Sequence, residues 1–145
     1  RSTLMRSSAA SDVYKRQGDY VPERFYALAK GLEDLPERGL RCQKCIGHRL
    51  EETFRIALQQ PERPDYVCTT LTISPHKDAV FINTKGTELA QQYGIAWLPT
   101  DFKKKGGYQR SIVLSREYDL YRQNFCGCVY SRLEAERREK EMASS

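Results

Sequence analysis

Between Cys42 and Tyr93 the apolar positions fall into two helical stripes separated by a β-rich run. Leu50, Phe54, Ala57 and Leu58 recur at the steps that line up side chains on one helical face. This predicts a helix over Cys42–Gln59, ended by Pro61 and Pro64. Asp65–Ile73, with Tyr66, Val67, Cys68, Thr69, Thr70 and Leu71, has the β-branched and aromatic character of a buried strand. Ser74-Pro75 then reads as a helix start, a capping hydroxyl followed by proline at the first helical position. Ala79, Ile82, Gly86, Leu89 and Tyr93 carry that stripe to Tyr93, and Gly94 closes it. Gly86 lies on the stripe itself, so a close approach of another element is expected there rather than a break.

The flanking segments are shorter. Pro22–Gly31 predicts a helix with Phe25, Leu28 and Ala29 on one face, and Leu32–Gly39 a loop. Ile95–Pro99 reads as a short strand, Asp101–Gly107 as a basic loop and Tyr108–Leu120 as a helix. Ser131–Met142 alternates Arg, Glu and Lys, which suits a solvated helix with no apolar face. From Cys42 the order helix, strand, helix, strand, helix favours an α/β fold with a parallel sheet and flanking helices. Two strands make a poor doubly covered sheet, so the expectation is that N-terminal strands are missing from this sequence.

Residues Arg1–Gln17 have no period, and Ser7–Gln17 resembles translated adapter sequence at the ends of metagenomic assemblies. The expected organisation is therefore 1–17 non-native, 18–131 the C-terminal part of one α/β domain, and 132–145 a charged helical tail.

Composition narrows the class. The chain has 145 residues, 39% hydrophobic and 30% charged, with a formal charge of +5. No apolar run approaches the roughly 18–20 residues of a membrane helix, and no secretory h-region is visible. The expected setting is a reducing cytoplasm, where cysteines serve metals or redox chemistry more often than structural disulfides. The positive charge permits a nucleic-acid partner without requiring one.

Four of the five cysteines form two tight pairs, Cys42/Cys45 and Cys126/Cys128. Three residues apart at a helix start, Cys42 and Cys45 can face one point, where the dipole favours thiolate over thiol. Cys126-Gly127-Cys128 is a turn that can chelate a metal or cycle as a dithiol. Cys68, alone in a β-branched run, reads as a small buried hydrophobe, and His48 and His76 as ordinary histidines. Lys103, Lys104 and Lys105 beside Gly106 and Gly107 could meet a phosphate backbone, with Tyr108, Arg110, Tyr121 and Arg122 adding stacking and charge.

Taken in order, several motifs carry a resemblance. Arg-Cys-x-x-Cys opens a helix, followed by Thr-Thr-Leu-x-x-Ser-Pro-x-Lys-Asp (Thr69–Asp78), Tyr93-Gly94, Asp101–Lys104, Gly106–Tyr108 and Leu-Tyr-Arg-Gln-x-Phe-Cys-Gly-Cys-x-Tyr-Ser (Leu120–Ser131). Over Asp19–Ser131 the set resembles the cobalamin-independent epoxyqueuosine reductases of tRNA queuosine synthesis. The resemblance implies a Rossmann-like fold. It also implies reduction of an epoxide on the tRNA wobble base to an alkene, with loss of water. The cofactors it implies are a [4Fe-4S] cluster and an adjacent mononuclear iron, fed by an unidentified electron donor.

Carried onto this sequence, Cys42 and Cys45 become cluster ligands. Cys126 and Cys128 become either a redox dithiol or ligands of the second iron. Asp101, Lys103 and Tyr108 are the candidates for the acid that protonates the leaving oxygen. Lys103, Lys104, Lys105, Tyr108 and Arg122 would hold the tRNA. Members of the family carry an adjacent cysteine pair near their N-terminus, and none precedes Cys42 here. The expectation is that the polypeptide as written is an inactive C-terminal fragment. The competing readings are a four-cysteine zinc module that binds RNA without catalysis and, further off, a thioredoxin-like dithiol oxidoreductase.

Overall fold

The fold is taken from a computed structural model, which describes residues 18–144. The expectation for 1–17 lies outside the described residues. The chain order is α1 (Pro22–Ala29), α2 (Leu40–Leu58), β1 (Tyr66–Val67), a 3-10 turn (Leu71–Ile73), α3 (Ala79–Tyr93), β2 (Ala96–Trp97), α4 (Gly107–Glu117) and α5 (Val129–Ala143). β1 and β2 pair in parallel, Tyr66 opposite Ala96 and Val67 opposite Trp97. α3 makes the crossover between them, so the unit is the expected strand–helix–strand of an α/β fold. Among the described residues the sheet has only these two strands.

α2 buries Ile46, Leu50, Phe54 and Ala57 against α3 and the sheet, a continuous stripe at helical spacing. Phe54 is fully buried, its ring stacked on Tyr93 at 5.9 Å and tilted against Trp97 at 6.3 Å. From α3 come Ile82 and Leu89. Gly86 is where α3 meets Trp97, since a Cβ there would lie 2.2 Å from the indole. The expected close approach is thus real, and glycine is required for it. Gly94 ends α3 in the left-handed conformation at φ 68°, donating its N–H to the Ala90 carbonyl.

Four local expectations are corrected. The strand predicted over Asp65–Ile73 stops at Val67, because its threonine hydroxyls bond neighbouring backbone or the Thr100–Phe102 segment while the chain leaves the ladder in a 3-10 turn. Thr69 Oγ1 accepts from Leu71 N, and Thr72 Oγ1 accepts from Phe102 N and meets Thr100 Oγ1 at 3.0 Å. Ser74-Pro75 does not start α3. Ser74 Oγ accepts from His76 N in a local turn, and the capping residue is Asp78, whose Oδ1 accepts from Val80 N and Phe81 N. Cys68 is exposed, because alternation turns it outward when Val67 faces the core. The last helix starts earlier than expected, at Val129, and does bury a narrow contact through Ser131 and Ala135. No helix among the described residues is long and apolar enough to cross a membrane.

Candidate functional site

Cys42 and Cys45 lie in the first turns of α2, both half-buried. The Cys126–Cys128 turn leads into α5, and Cys128 is its capping residue, its Sγ accepting from Ser131 N at 3.4 Å. Ser131, almost wholly buried, returns the bond: its Oγ accepts from Cys126 N at 2.7 Å. One serine therefore fixes both cysteines of the turn.

The fold brings Cys45 within electrostatic range of Cys126 and Cys128. Burial pushes the Cys45 thiol above its ordinary pKa, Arg49 opposes this, and negative charge on Cys126 and Cys128 adds to the rise. Desolvation therefore outweighs the helix-start advantage expected for this thiolate. The half-buried Cys42 lies one turn nearer the start of α2.

A lysine with no role in the sequence reading sits at the centre. Lys77 is 7% exposed, and its Nζ donates to Cys126 Sγ and to Glu37 Oε1, both at 3.0 Å. Burial works against its ammonium, but the bonds to Cys126 and Glu37 outweigh it and raise its pKa. The sequence signal was the lysine of Ser-Pro-x-Lys-Asp, one residue before the cap of α3. Glu37 lies in the loop before α2 and carried no signal of its own.

The basic loop joins the site through one residue. Lys103 Nζ donates to the Lys77 carbonyl at 3.2 Å and pairs with Asp101 Oδ1 at 3.0 Å. Lys104 pairs with the other carboxylate oxygen at 3.5 Å but is largely exposed, as is Lys105. The hydrogen bond from Lys103 holds the Asp101 carboxyl below the usual carboxylate range; burial opposes this, and the charges of Lys103 and Lys104 reinforce it. At neutral pH Asp101 is therefore a fixed negative charge that orients Lys103. Arg122 stacks over the Tyr108 ring at 5.8 Å and donates to Ser115 Oγ, forming an exposed patch along α4.

The donor set suits an iron–sulfur group in its chemistry: soft thiols, in pairs, partly withdrawn from water. Among the described residues, no three His, Cys, Asp or Glu side chains converge to hold a single metal ion. His48 is half-buried on α2 and joins no such group.

The class defined so far is an α/β domain with paired free thiols, one of them bonded to a buried lysine. Comparison makes this specific. The model of the family "Epoxyqueuosine reductase QueH" matches residues 1–134. The chain is 44% identical over 115 residues to epoxyqueuosine reductase QueH of Streptococcus pyogenes, covering 79% of this chain and 44% of that protein. The Staphylococcus epidermidis protein of the same name is 41% identical over 117 residues, 79% and 48% of the two chains. That of Thermotoga maritima is 39% identical over 128 residues, 86% and 65%. The chain belongs to the epoxyqueuosine reductase QueH family. It spans about half the length of the curated relatives it matches.

Proposed function

We propose that this chain carries the thiol site of an epoxyqueuosine reductase, an oxidoreductase that removes the epoxide oxygen from a modified wobble nucleoside of tRNA in the cytoplasm. The observation that carries the reading is Lys77 buried on the Cys126 sulfur, with Cys45 near enough to Cys126 and Cys128 for their charge to raise its pKa. In this reading Cys42 and Cys45 hold a [4Fe-4S] cluster, and Cys126 and Cys128 hold a second iron or act as a dithiol. When bound, such groups supply single electrons and a Lewis acid.

The chain's own residues do the rest. Lys77 holds the Cys126 sulfur in place through its 3.0 Å hydrogen bond. Asp101 enters as the anchor of Lys103 rather than as the acid, because a carboxylate held below its usual range gives up no proton near neutrality. Lys103 is then the best-placed of the candidate acids, with its ammonium beside the Lys77 carbonyl. Lys104, Lys105, Tyr108 and Arg122 offer charge and stacking surface to the tRNA backbone and loop. Epoxide to alkene and water consumes two electrons and two protons, so an external electron donor completes the reaction.

The test is to incubate tRNA bearing epoxyqueuosine with anaerobically reconstituted protein and a strong reductant, then weigh the released nucleosides. The chain is assayed alone and extended to the length of its relatives. Loss of one oxygen from the nucleoside with the extended protein supports the reading; an unchanged nucleoside with the fully loaded extended protein overturns it.

A further inference from the structure

Lys77 sits in a turn that its neighbours hold unusually firmly. Glu37 and Arg38 come from the segment before α2, and Pro75, His76 and Lys77 from the segment before α3. Arg38 Nε donates to the His76 carbonyl at 3.2 Å, and its Nη2 donates to the Pro75 carbonyl. The Arg38 backbone is left-handed at φ 75°, uncommon for any residue but glycine. Lys103 Nζ adds a bond to the Lys77 carbonyl at 3.2 Å. Two cations thus fix the turn, and the almost wholly buried side chain runs from it to Glu37 Oε1 and Cys126 Sγ. Glu37 alone would give the ammonium its counter-charge. The second bond goes to a sulfur of the Cys126–Cys128 pair.

Each sulfur of that pair has its own N–H donor. Cys126 Sγ accepts from Lys77 Nζ at 3.0 Å, and Cys128 Sγ from Ser131 N at 3.4 Å. The two donors differ in weight. Ser131 offers a neutral amide at long range, whereas Lys77 offers an ammonium, and charge-assisted bonds are about twice as strong as neutral ones.

Such bonds distinguish the two redox states of the pair. A reduced sulfur has electron density free to accept them. A disulfide sulfur carries no charge and is fixed about 2.05 Å from its partner. Forming the disulfide turns Cys126 Sγ toward Cys128 and takes it from the lysine, leaving a buried ammonium with one acceptor fewer. The reduced state is favoured by the worth of that bond, roughly tenfold in the equilibrium. Glu37 works the other way. Its carboxylate oxygen and the Cys126 sulfur both lie 3.0 Å from one nitrogen, so they are no more than about 6 Å apart. A negative charge there disfavours electron density on the sulfur.

We propose that Lys77 is a positioning residue that raises the reduction potential of the Cys126–Cys128 pair, and that Glu37 partly lowers it. The inference rests on the dithiol role given to that pair above. The two residues then set how readily an external electron donor returns the pair to its reduced state.

The test equilibrates the 145-residue chain, without oxygen and at one fixed pH, with glutathione buffers of graded disulfide-to-thiol ratio. The exchange is balanced: the Cys126–Cys128 S–S bond forms as that of glutathione breaks, and two electrons and two protons pass to two glutathione thiols. After acid quenching and alkylation, tryptic peptide 123–132, which holds these two cysteines and no other, is weighed for the alkyl groups gained. Lys77→Met should form the disulfide at a roughly tenfold lower ratio than wild type, a potential lower by about 30 mV for this two-electron couple. Lys77→Arg should stay near wild type. Glu37→Gln should shift in the opposite sense and need a higher ratio. Lys77→Met and Glu37→Gln both break the same ion pair, so a fault of folding moves them alike, whereas a change of poise moves them apart. Lys77→Met following wild type, or both variants shifting in one sense, overturns the inference. So does a pair that stays reduced in all four proteins. The reductase reading is judged separately by the nucleoside assay: it survives a Lys77→Met that follows wild type, and an unchanged nucleoside sinks it whatever the glutathione buffers show.

Discussion

Replacing Gly86 by alanine sets the packing of α3 on the sheet against a single methyl group. The added Cβ would lie 2.2, 2.3 and 2.7 Å from three atoms of the Trp97 indole. Ordinary contact begins near 3.4 Å, so ring or helix must move by about 1.2 Å. Trp97 has little freedom to do so. It is 8% exposed, lies against Phe54, and donates from Nε1 to Asn83 Oδ1 at 3.1 Å. The same Asn83 accepts from Thr100 N and donates to the Thr100 carbonyl, tying the ring to the segment that leads into Asp101 and Lys103. Overpacking of this kind costs up to about 3 kcal/mol. Losing the indole hydrogen bond adds about 1 kcal/mol, and the better helix propensity of alanine returns about 1 kcal/mol. The net expectation is a loss of about 3 kcal/mol, or a fall of about 1.5 M in the urea midpoint at a slope near 2 kcal/mol/M. Trp97 is the sole tryptophan of the chain, so its fluorescence reports both the transition and the displaced ring. Gly47→Ala is the matched control. It lies inside α2, where an added Cβ meets only Lys85 Cε at 3.8 Å, and it should stabilise by about 0.5–1 kcal/mol. A Gly86→Ala midpoint indistinguishable from wild type would refute the packing argument.

Lys77→Met leaves Glu37 without its cation in a largely buried site and should cost about 3 kcal/mol, with Lys77→Arg recovering part of it in denaturant titrations. Because the Lys77 pKa is raised, the stability it confers is complete below the ordinary lysine value of 10.5 and fades only as pH rises through the higher folded value; a loss between neutrality and pH 9 traced to Lys77 would contradict this. Asp78→Ala removes two capping bonds from α3 and should lower stability by about 1 kcal/mol, read as a shift in thermal midpoint; no shift would dismiss Asp78 as the cap. In metal-free protein, mass spectrometry should find Cys68 alkylated first and Cys45 last, with Cys45 needing a more alkaline pH than an ordinary thiol; the reverse order would show the burial assigned to them to be mistaken.

The long elements were legible because periodicity reports them directly. The α2 stripe stands except for Leu58, which is exposed at the helix end; the α3 stripe with its embedded Gly86, the stop at Gly94 and the parallel strand–helix–strand order stand as read. What was misread lies where short-range hydrogen bonding competes with pattern. Threonines 69 to 72 looked like strand and form a turn, since hydroxyls that can bond backbone groups nearby are free to leave a ladder. Ser74-Pro75 and Asp78 both carry cap chemistry, and only Asp78 is followed by uninterrupted apolar spacing. The paired cysteines were visible in spacing alone. Where the second pair sits depends on the grip of Lys77 on Cys126, a long-range fact that no local window contains. Lys77 was overlooked for the same reason, because a charged residue announces burial only through its partners.

The most direct measurement is the iron, acid-labile sulfide and zinc content of the protein purified without oxygen, at the length of its relatives, beside Cys42→Ser, Cys45→Ser and Cys68→Ser variants. Iron with labile sulfide and a broad absorbance near roughly 400 nm is expected, lost in the Cys42 and Cys45 variants and intact when the exposed Cys68 is changed. About one zinc per chain without sulfide would contradict it and return the four-cysteine zinc module to the front.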